Sequence, residues 1–381
     1  MTKWVVAKFG GSSVKDAEAM LRCANIVDDN ENIKIVVISA TQNTTNQLEF
    51  IARAAQRSDE GTLTTLITEL TLRHSTIAHE LYSSDVVTDQ LKVLYTELQS
   101  IADEILIHRS YTPKLMDQLY SIGERMSSLL VSDLIRLRMP NKKVVLLDAR
   151  DVIKTSSDYQ KAEPQIDLIL EKTNELITPH LNDDVIFVTQ GFIGQDLMNN
   201  TTTLGREGSD YSAALFGEAI SASLVQIWTD VPGIASSDPR VVKNARFIST
   251  LSYDEATALA SLGAKVLFPT TLLPTKRKDI PVFVGSSLKP DAGGTLITKN
   301  QDEKFQLKSV SLLKKADYSV ISFVGCHLDQ APGLVEKIRT LSGNTISDFY
   351  DLTSVSISFK IINLEDEVVL LKAHDILAEH F

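Results

Sequence analysis

The residues most able to do chemistry begin at Lys8-Phe9-Gly10-Gly11-Ser12-Ser13. Paired glycines let the backbone come close to a phosphate, and a helix starting just after them would offer free N–H groups and its positive dipole end. A lysine ahead of such a loop can set its ammonium over a transferring phosphoryl group. The spacing is not that of a Walker loop, Gly-x-x-x-x-Gly-Lys-Ser/Thr. Two glycines after a strand also make an ordinary tight turn, so the segment alone decides nothing. A second group, Gly205-Arg206-Glu207-Gly208-Ser209-Asp210-Tyr211, combines a guanidinium, a flexible backbone, a capping hydroxyl and a carboxylate ahead of a helix. Arginine can clamp a substrate carboxylate through two parallel hydrogen bonds. A plain helix cap beside a solvated arginine is the alternative. The preceding Gly191-Phe192-Ile193-Gly194 and Thr201-Thr202-Thr203-Leu204 make a loop system too elaborate for it.

Three further segments complete the set. Ser39-Ala40-Thr41-Gln42-Asn43-Thr44-Thr45-Asn46 follows an apolar run, at the carboxyl end of a strand where open α/β sheets bind ligands, although a polar loop ending in a helix cap would look the same. Trp228-Thr229-Asp230-Val231-Pro232-Gly233-Ile234 leads into Ser237-Asp238-Pro239-Arg240, which could hold a nucleotide with backbone groups and one arginine, or could be two turns in series. Gly263-Ala264-Lys265-Val266-Leu267 brings a lysine among small residues, in a tight site or at an exposed helix end.

An α/β fold is needed to position these groups. Near-continuous apolar runs at Val5–Phe9, Ile33–Ser39, Val144–Asp148, Val185–Thr189, Val225–Thr229 and Pro281–Val284 read as strands of a mostly parallel sheet with helices on both faces. From 47 to 138 no strand pattern occurs; Leu119, Ile122, Met126, Leu130, Leu134 and Leu137 mark an amphipathic helix, and the stretch reads as a helical lobe leaning over the sheet edge. A polar linker, Lys299-Asn300-Gln301-Asp302-Glu303-Lys304, precedes a separate α+β module. That module has strands at Tyr318–Val324 and Val355–Ile361 and helices at Pro332–Leu341 and Glu365–Leu377.

The 381 residues suffice for two or three domains, and a net charge of −11 with no basic tract argues against nucleic acid as a partner. The two cysteines, Cys23 and Cys326, lie far apart, which suits a reducing compartment and gives no metal-ligand spacing. No signal-like start and no membrane-length apolar run occurs, so the expectation is a soluble cytoplasmic protein without a membrane partner.

Taken in order and spacing over residues 4 to 298, these motifs resemble the aspartate kinase family of the amino-acid kinase superfamily. The resemblance implies an amino-acid kinase fold over 1–300, with the helical insertion at about 47–140 and the nucleotide-binding part at about 211–300. It implies transfer of the ATP γ-phosphate to the side-chain carboxylate of L-aspartate, the entry step to lysine, threonine and methionine. Carried over by position, Lys8 and Asp210 are the catalytic pair. Ser39, Thr45, Glu124, Arg206, Glu207, Gly208 and Ser209 form the aspartate site, with Glu124 on the α-ammonium and Arg206 on the α-carboxylate. Lys8, Gly10, Gly11, Ser12, Thr229, Asp230, Ala235, Arg240, Lys265 and Val266 form the nucleotide site. No protein metal site is implied; Mg²⁺ is expected on the ATP phosphates. The region 305–381 resembles a single ACT domain where family members normally carry two, implying a homodimer and an amino-acid effector, with weak or absent inhibition by lysine or threonine. The chain departs from the family pattern at Glu207 (commonly glycine), Ala235 (often tyrosine), Phe268 (often histidine) and Thr41-Gln42-Asn43-Thr44, where a glycine-containing loop is common. Two other readings stand beside this one: an amino-acid kinase acting on a related acid such as glutamate or acetylglutamate, and a catalytically weak ACT-containing sensor.

Overall fold

The computed structural model describes residues 3–263, 269–300, 304–342, 346, 348–361 and 365–380. By its internal packing the chain divides into two compact units, Met1–Asp230 with Gly285–Pro290, and Val231–Val284 with Asp291–Phe381. The domain boundary expected near residue 300 therefore falls inside the second unit.

The first unit runs β1 (Val5–Phe9), α1 (Ala17–Asp28), β2 (Ile33–Ile38), α2 (Thr44–Gln56), α3 (Glu60–Glu80), α4 (Asp85–His108) and α5 (Pro113–Arg138). It continues with β3 (Lys143–Leu147), α6 (Ala149–Val152), α7 (Ile166–Leu176), β4 (Val185–Gln190), β5 (Ile193–Gln195), β6 (Thr201–Thr203), α8 (Gly208–Ala219) and β7 (Leu224–Thr229). Five of these strands lie in the order β3-β4-β2-β1-β7, every pair parallel. All of β1 and β4 is buried, which requires cover on both faces. Helix α5 packs on β2, β3 and β4, and α8 packs on β1, β2 and β7. The helical insertion thus does more than lean over an edge, because its last helix forms part of the sheet's cover. The strand order reverses at β1: the chain moves from β1 to β2 on one side and returns with β7 on the other. Ligand sites in open parallel sheets form at the carboxyl ends of such a switch point.

Helix α5 is tied to the loops at that end by a buried carboxylate. Asp117 accepts from Gln160 N (2.9 Å to Oδ2), Thr203 N (2.9 Å) and Thr203 Oγ1 (2.8 Å). One side chain so joins the first turns of α5, the 153–165 loop and the short hairpin β5–β6.

The second unit contains β8 (Thr250–Ser252), α9 (Tyr253–Ser261), α10 (Pro269–Arg277), β9 (Val282–Ser286) as far as Val284, and β10 (Gly294–Thr298), with β8 and β10 parallel. Then come β11 (Gln306–Lys314), β12 (Ser319–Cys326), α11 (Leu334–Ser342), β13 (Asp348–Leu352), β14 (Ser356–Ile361) and α12 (Asp366–His380). The last four strands form an antiparallel sheet in the order β11-β12-β14-β13. This is the small α+β, ACT-like module read from the sequence, enlarged by β11 and β13. Its core holds Ile321, Phe323, Ile338, Ile357, Phe359 and Ala373, with Phe323 and Phe359 edge to face. Val242 is fully buried in the same core, and Val310 N donates to Ser236 O (2.8 Å). The segment after β7 therefore packs as part of this module. Among the described residues no helix is long and apolar enough to cross a membrane.

Candidate active site

Lys8 stands one residue from the end of β1, with Val37 and Ile227 opposite it on the flanking strands. A charged side chain in a fully buried strand needs a partner, and Asp210 in the first turn of α8 supplies it. Lys8 Nζ lies 2.5 Å from Asp210 Oδ1, with side-chain exposures of 9% and 4%. Phe9, Ile38, Gln190 and Trp228 are in register across the sheet, so the loops following all four strands open at the same edge.

After β1 the chain makes a short 3₁₀ turn, Gly11–Val14, before α1 begins at Ala17. Gly10 N donates to Trp228 O (3.1 Å), and Ser13 Oγ and Ser287 Oγ are 2.7 Å apart. A Cβ on Gly11 would sit 2.9 Å from Ala40 O, so only glycine lets the β1 and β2 loops meet this closely.

The loop after β2 is held from α5. Ser39 O accepts from Ser127 Oγ (2.6 Å), and Ala40 N donates to Glu124 Oε1 (3.4 Å). A Cβ on Gly123 would lie 2.9 Å from both Ala40 Cβ and Thr44 Cγ2, so this helix face must stay bare. Glu124 is 3% exposed, and its Oε2 has no hydrogen-bond partner among the described residues. Burial pushes its carboxyl up to about 8, against the opposing pull of the Ala40 N–H. A buried carboxylate with one unengaged oxygen is a receptor for a cation that arrives with the ligand.

Arg206 is on the surface of the loop before α8, and Glu207 caps that helix in the left-handed region (φ 55°, ψ 26°). Desolvation, then the like charge of Asp210, raises the Glu207 carboxyl, while Lys8 and Arg206 oppose the shift. Asp210, Lys8, Arg206 and Glu207 therefore share one electrostatic field. Gly208 is buried at the start of α8, and Ser209 and Thr45 are half-buried. Ser12 lies in the 3₁₀ turn beside Gly11.

At the end of β7, Thr229 Oγ1 donates to Asp230 Oδ1 (3.1 Å), and Ser287 N donates to Thr229 O (2.8 Å). In the second unit Ala235 pairs as an isolated bridge with Phe247. Arg240 makes a two-pronged bond with Asp238, Nε to Oδ1 at 2.9 Å and Nη2 to Oδ2 at 2.6 Å. Lys265, Val266 and Phe268 lie outside the described residues. Sequence reasoning missed Ser212 and Asp117. Ser212 Oγ accepts from Phe192 N (2.9 Å) and donates to Gly208 O (2.9 Å), fixing the 191–208 approach. A serine or aspartate on the apolar side of a helix is the signal that could have found them.

The model of the Amino acid kinase family matches residues 3–286. Lysine-sensitive aspartokinase 3 of Escherichia coli is 37% identical over 363 residues, covering 95% of this chain and 79% of that protein. The aspartokinase of Chlamydia trachomatis is 34% identical over 312 residues, covering 81% of this chain and 68% of that protein. The crystal structure of E. coli aspartokinase III in complex with aspartate and ADP superposes with a TM-score of 0.89 at 30% identity, over 99% of this chain and 100% of that one. A second state of the same enzyme, in complex with lysine and aspartate, gives a TM-score of 0.84, also at 30% identity, over 99% of this chain and 100% of that one. Motifs, sheet order and relatives agree: this chain belongs to the amino acid kinase family, among its aspartokinases.

Proposed function

We propose that the chain transfers the γ-phosphate of ATP to the side-chain carboxylate of L-aspartate, giving 4-phospho-L-aspartate, the first step toward lysine, threonine and methionine. The observation that carries this is the buried Lys8–Asp210 pair at the sheet's switch point. The acceptor carboxylate is already ionised at neutral pH, so no strong base is needed. Catalysis is then positioning and charge neutralisation. Lys8 balances the negative charge on the transferred group, and Asp210 fixes the direction of its ammonium. Arg206 clamps the α-carboxylate, and Glu124 takes the α-ammonium. Ser39, Thr45, Glu207, Gly208 and Ser209 complete the acceptor's surroundings. Gly10, Gly11, Ser12, Thr229 and Asp230 in the first unit, with Ala235, Arg240, Lys265 and Val266 in the second, serve the nucleotide.

Mg²⁺ fits this site as a passenger on ATP. The described residues gather no cluster of three His, Cys, Asp or Glu side chains able to hold a metal, and Asp210 is committed to Lys8. Bound to the phosphates, Mg²⁺ would neutralise charge there. The net charge of −11 without a basic tract argues against a nucleic-acid partner.

We also propose a homodimer formed through the 305–381 module, where an amino-acid effector would act. The edge strand β13 has every residue exposed, including Phe349, Tyr350 and Leu352 at 38–48%. An edge with open N–H and C=O groups and apolar side chains invites pairing with a second copy.

Three outcomes test these statements. Lys8→Ala should cost at least about a hundredfold in kcat. It should also cost roughly 3–5 kcal/mol of stability, because Asp210 stays buried without its partner. The double variant Lys8→Met/Asp210→Asn should regain stability in urea melts but not turnover; turnover within about tenfold of wild type in either would remove Lys8 from catalysis. For Glu124 the sign follows from its raised carboxyl: below about pH 8 the free site is protonated, and an ammonium needs it ionised. The KM for aspartate should therefore fall as pH rises from 6.5 to 8, by at most about tenfold per unit. Glu124→Gln should flatten that slope and raise the KM for aspartate while sparing that for ATP; an unchanged slope contradicts the assignment. Finally, Tyr350→Asp/Leu352→Asp should convert a dimer to a monomer in light scattering, and an unchanged mass would place the interface elsewhere.

A further inference from the structure

Beside the substrate loop lies a buried polar group that the reaction does not use. His74 on α3 is fully buried and bonds Thr41 of the Ser39–Asn46 loop, whose Ser39 and Ala40 are held by Ser127 and Glu124 of α5. Four hydrogen bonds connect it, and their directions can be deduced. Leu70 O can only accept, so His74 Nδ1 carries a proton and donates to it (2.9 Å). Burial, reinforced by the nearby Arg73 charge, holds the ring at about 4, so at neutral pH it is uncharged and Nε2 is an acceptor. Thr41 Oγ1 must then donate to His74 Nε2 (3.2 Å). Having spent its only proton, Thr41 Oγ1 accepts from Thr44 Oγ1 (2.6 Å). Thr44 Oγ1 in turn accepts from Arg73 Nη2 (2.8 Å).

Every hydroxyl in this series donates once and accepts once, and both threonines are buried. The arrangement has a single direction, from Arg73 through Thr44 and Thr41 to His74 and the Leu70 carbonyl. A buried series in which each hydroxyl both donates and accepts fixes rotamers and is costly to break at those links. It spans the turn whose residue Asn43 sits at φ 64°, the left-handed region that asparagine tolerates better than most residues. The adjoining Gly123 face leaves Ala40 and Thr44 no room to shift toward α5. The loop is thus clamped between two helices, by packing on one side and by the hydrogen-bond series on the other.

We propose that Arg73 and His74 are positioning residues for phosphoryl transfer, holding the 39–46 loop so that Ser39 and Thr45 meet the amino-acid substrate in fixed geometry. They touch neither reactant; they act through Thr41 and Thr44. The inference rests on the aspartate-kinase reading, because that reading gives Ser39 and Thr45 their role.

Kinetics of three variants, together with hydrogen–deuterium exchange of the peptide covering 39–46, test it. His74→Leu removes the terminal acceptor. It should raise the KM for aspartate about tenfold or more, leave the KM for ATP within about twofold, and speed exchange of the loop peptide by about tenfold. His74→Gln, whose side-chain oxygen can accept from Thr41, should restore the KM for aspartate to within about threefold of wild type. Thr41→Val, nearly the same shape, should reproduce the leucine variant and serves in its place if that protein fails to fold. Parallel rises in both KM values without rescue by glutamine, or loop exchange unchanged from wild type, would overturn the inference. If wild-type protein releases no ADP in response to aspartate, the functional reading falls instead, and the exchange data still decide whether this series orders the loop.

Discussion

Everything at the active edge depends on one buried ion pair. Lys8 belongs to a strand buried along its whole length, and a lone ammonium there would be prohibitively costly. Asp210 makes it tolerable at 2.5 Å and at the same time fixes where its charge points. For that contact to form, α8 must begin where it does. Its start is set by Gly208, by the Ser212 hydroxyl that bridges Phe192 N and Gly208 O, and by Asp117 bonding the hairpin just ahead. The ion pair weakly favours folding at best, since both charges lost their water. Its persistence makes sense as preorganisation for an incoming polyanion.

The second constraint is on the acceptor side. Glu124 and the loop after β2 form one layer, in which Ser127, Gly123 and Ala40 set the spacing. The segment carrying Ala235 and Arg240 is anchored in the second unit: Ser236 bonds His374 of α12 (2.9 Å) and Val242 enters the core of the ACT-like module.

Much of this was legible in the sequence because parallel strands buried on both faces write themselves as apolar runs. Val5–Phe9 is the observed β1 residue for residue, and the runs at 33, 144, 185 and 225 fall within a residue of β2, β3, β4 and β7. The Lys8–Asp210 pair was visible only through motif order, since 202 positions separate the two residues and no local period links them. Other elements carry no such signal. β5, β6 and β8 are three residues each, too short for alternation, and β6 reads Thr-Thr-Thr. β13, Asp-Phe-Tyr-Asp-Leu, is exposed throughout and shows neither a buried run nor a clean period of two. Glu124 was reached only through the resemblance, because its small and polar neighbours carry no local sign of burial. In the fold those same small residues are what allow the β2 loop to close over it. The Arg73–His74 series escaped for a related reason: two polar residues in a helix gain meaning only from the loop they meet.

The central claim is that this edge phosphorylates the side-chain carboxylate of aspartate. The most direct measurement is to incubate the protein with Mg²⁺-ATP and L-aspartate, trap the acyl phosphate with hydroxylamine, and identify the hydroxamate by mass and fragmentation. The account requires the 4-hydroxamate of aspartate, formed in proportion to ADP, with little product from glutamate or acetylglutamate. ADP release without any hydroxamate, or equal yields from the longer acids, would contradict it.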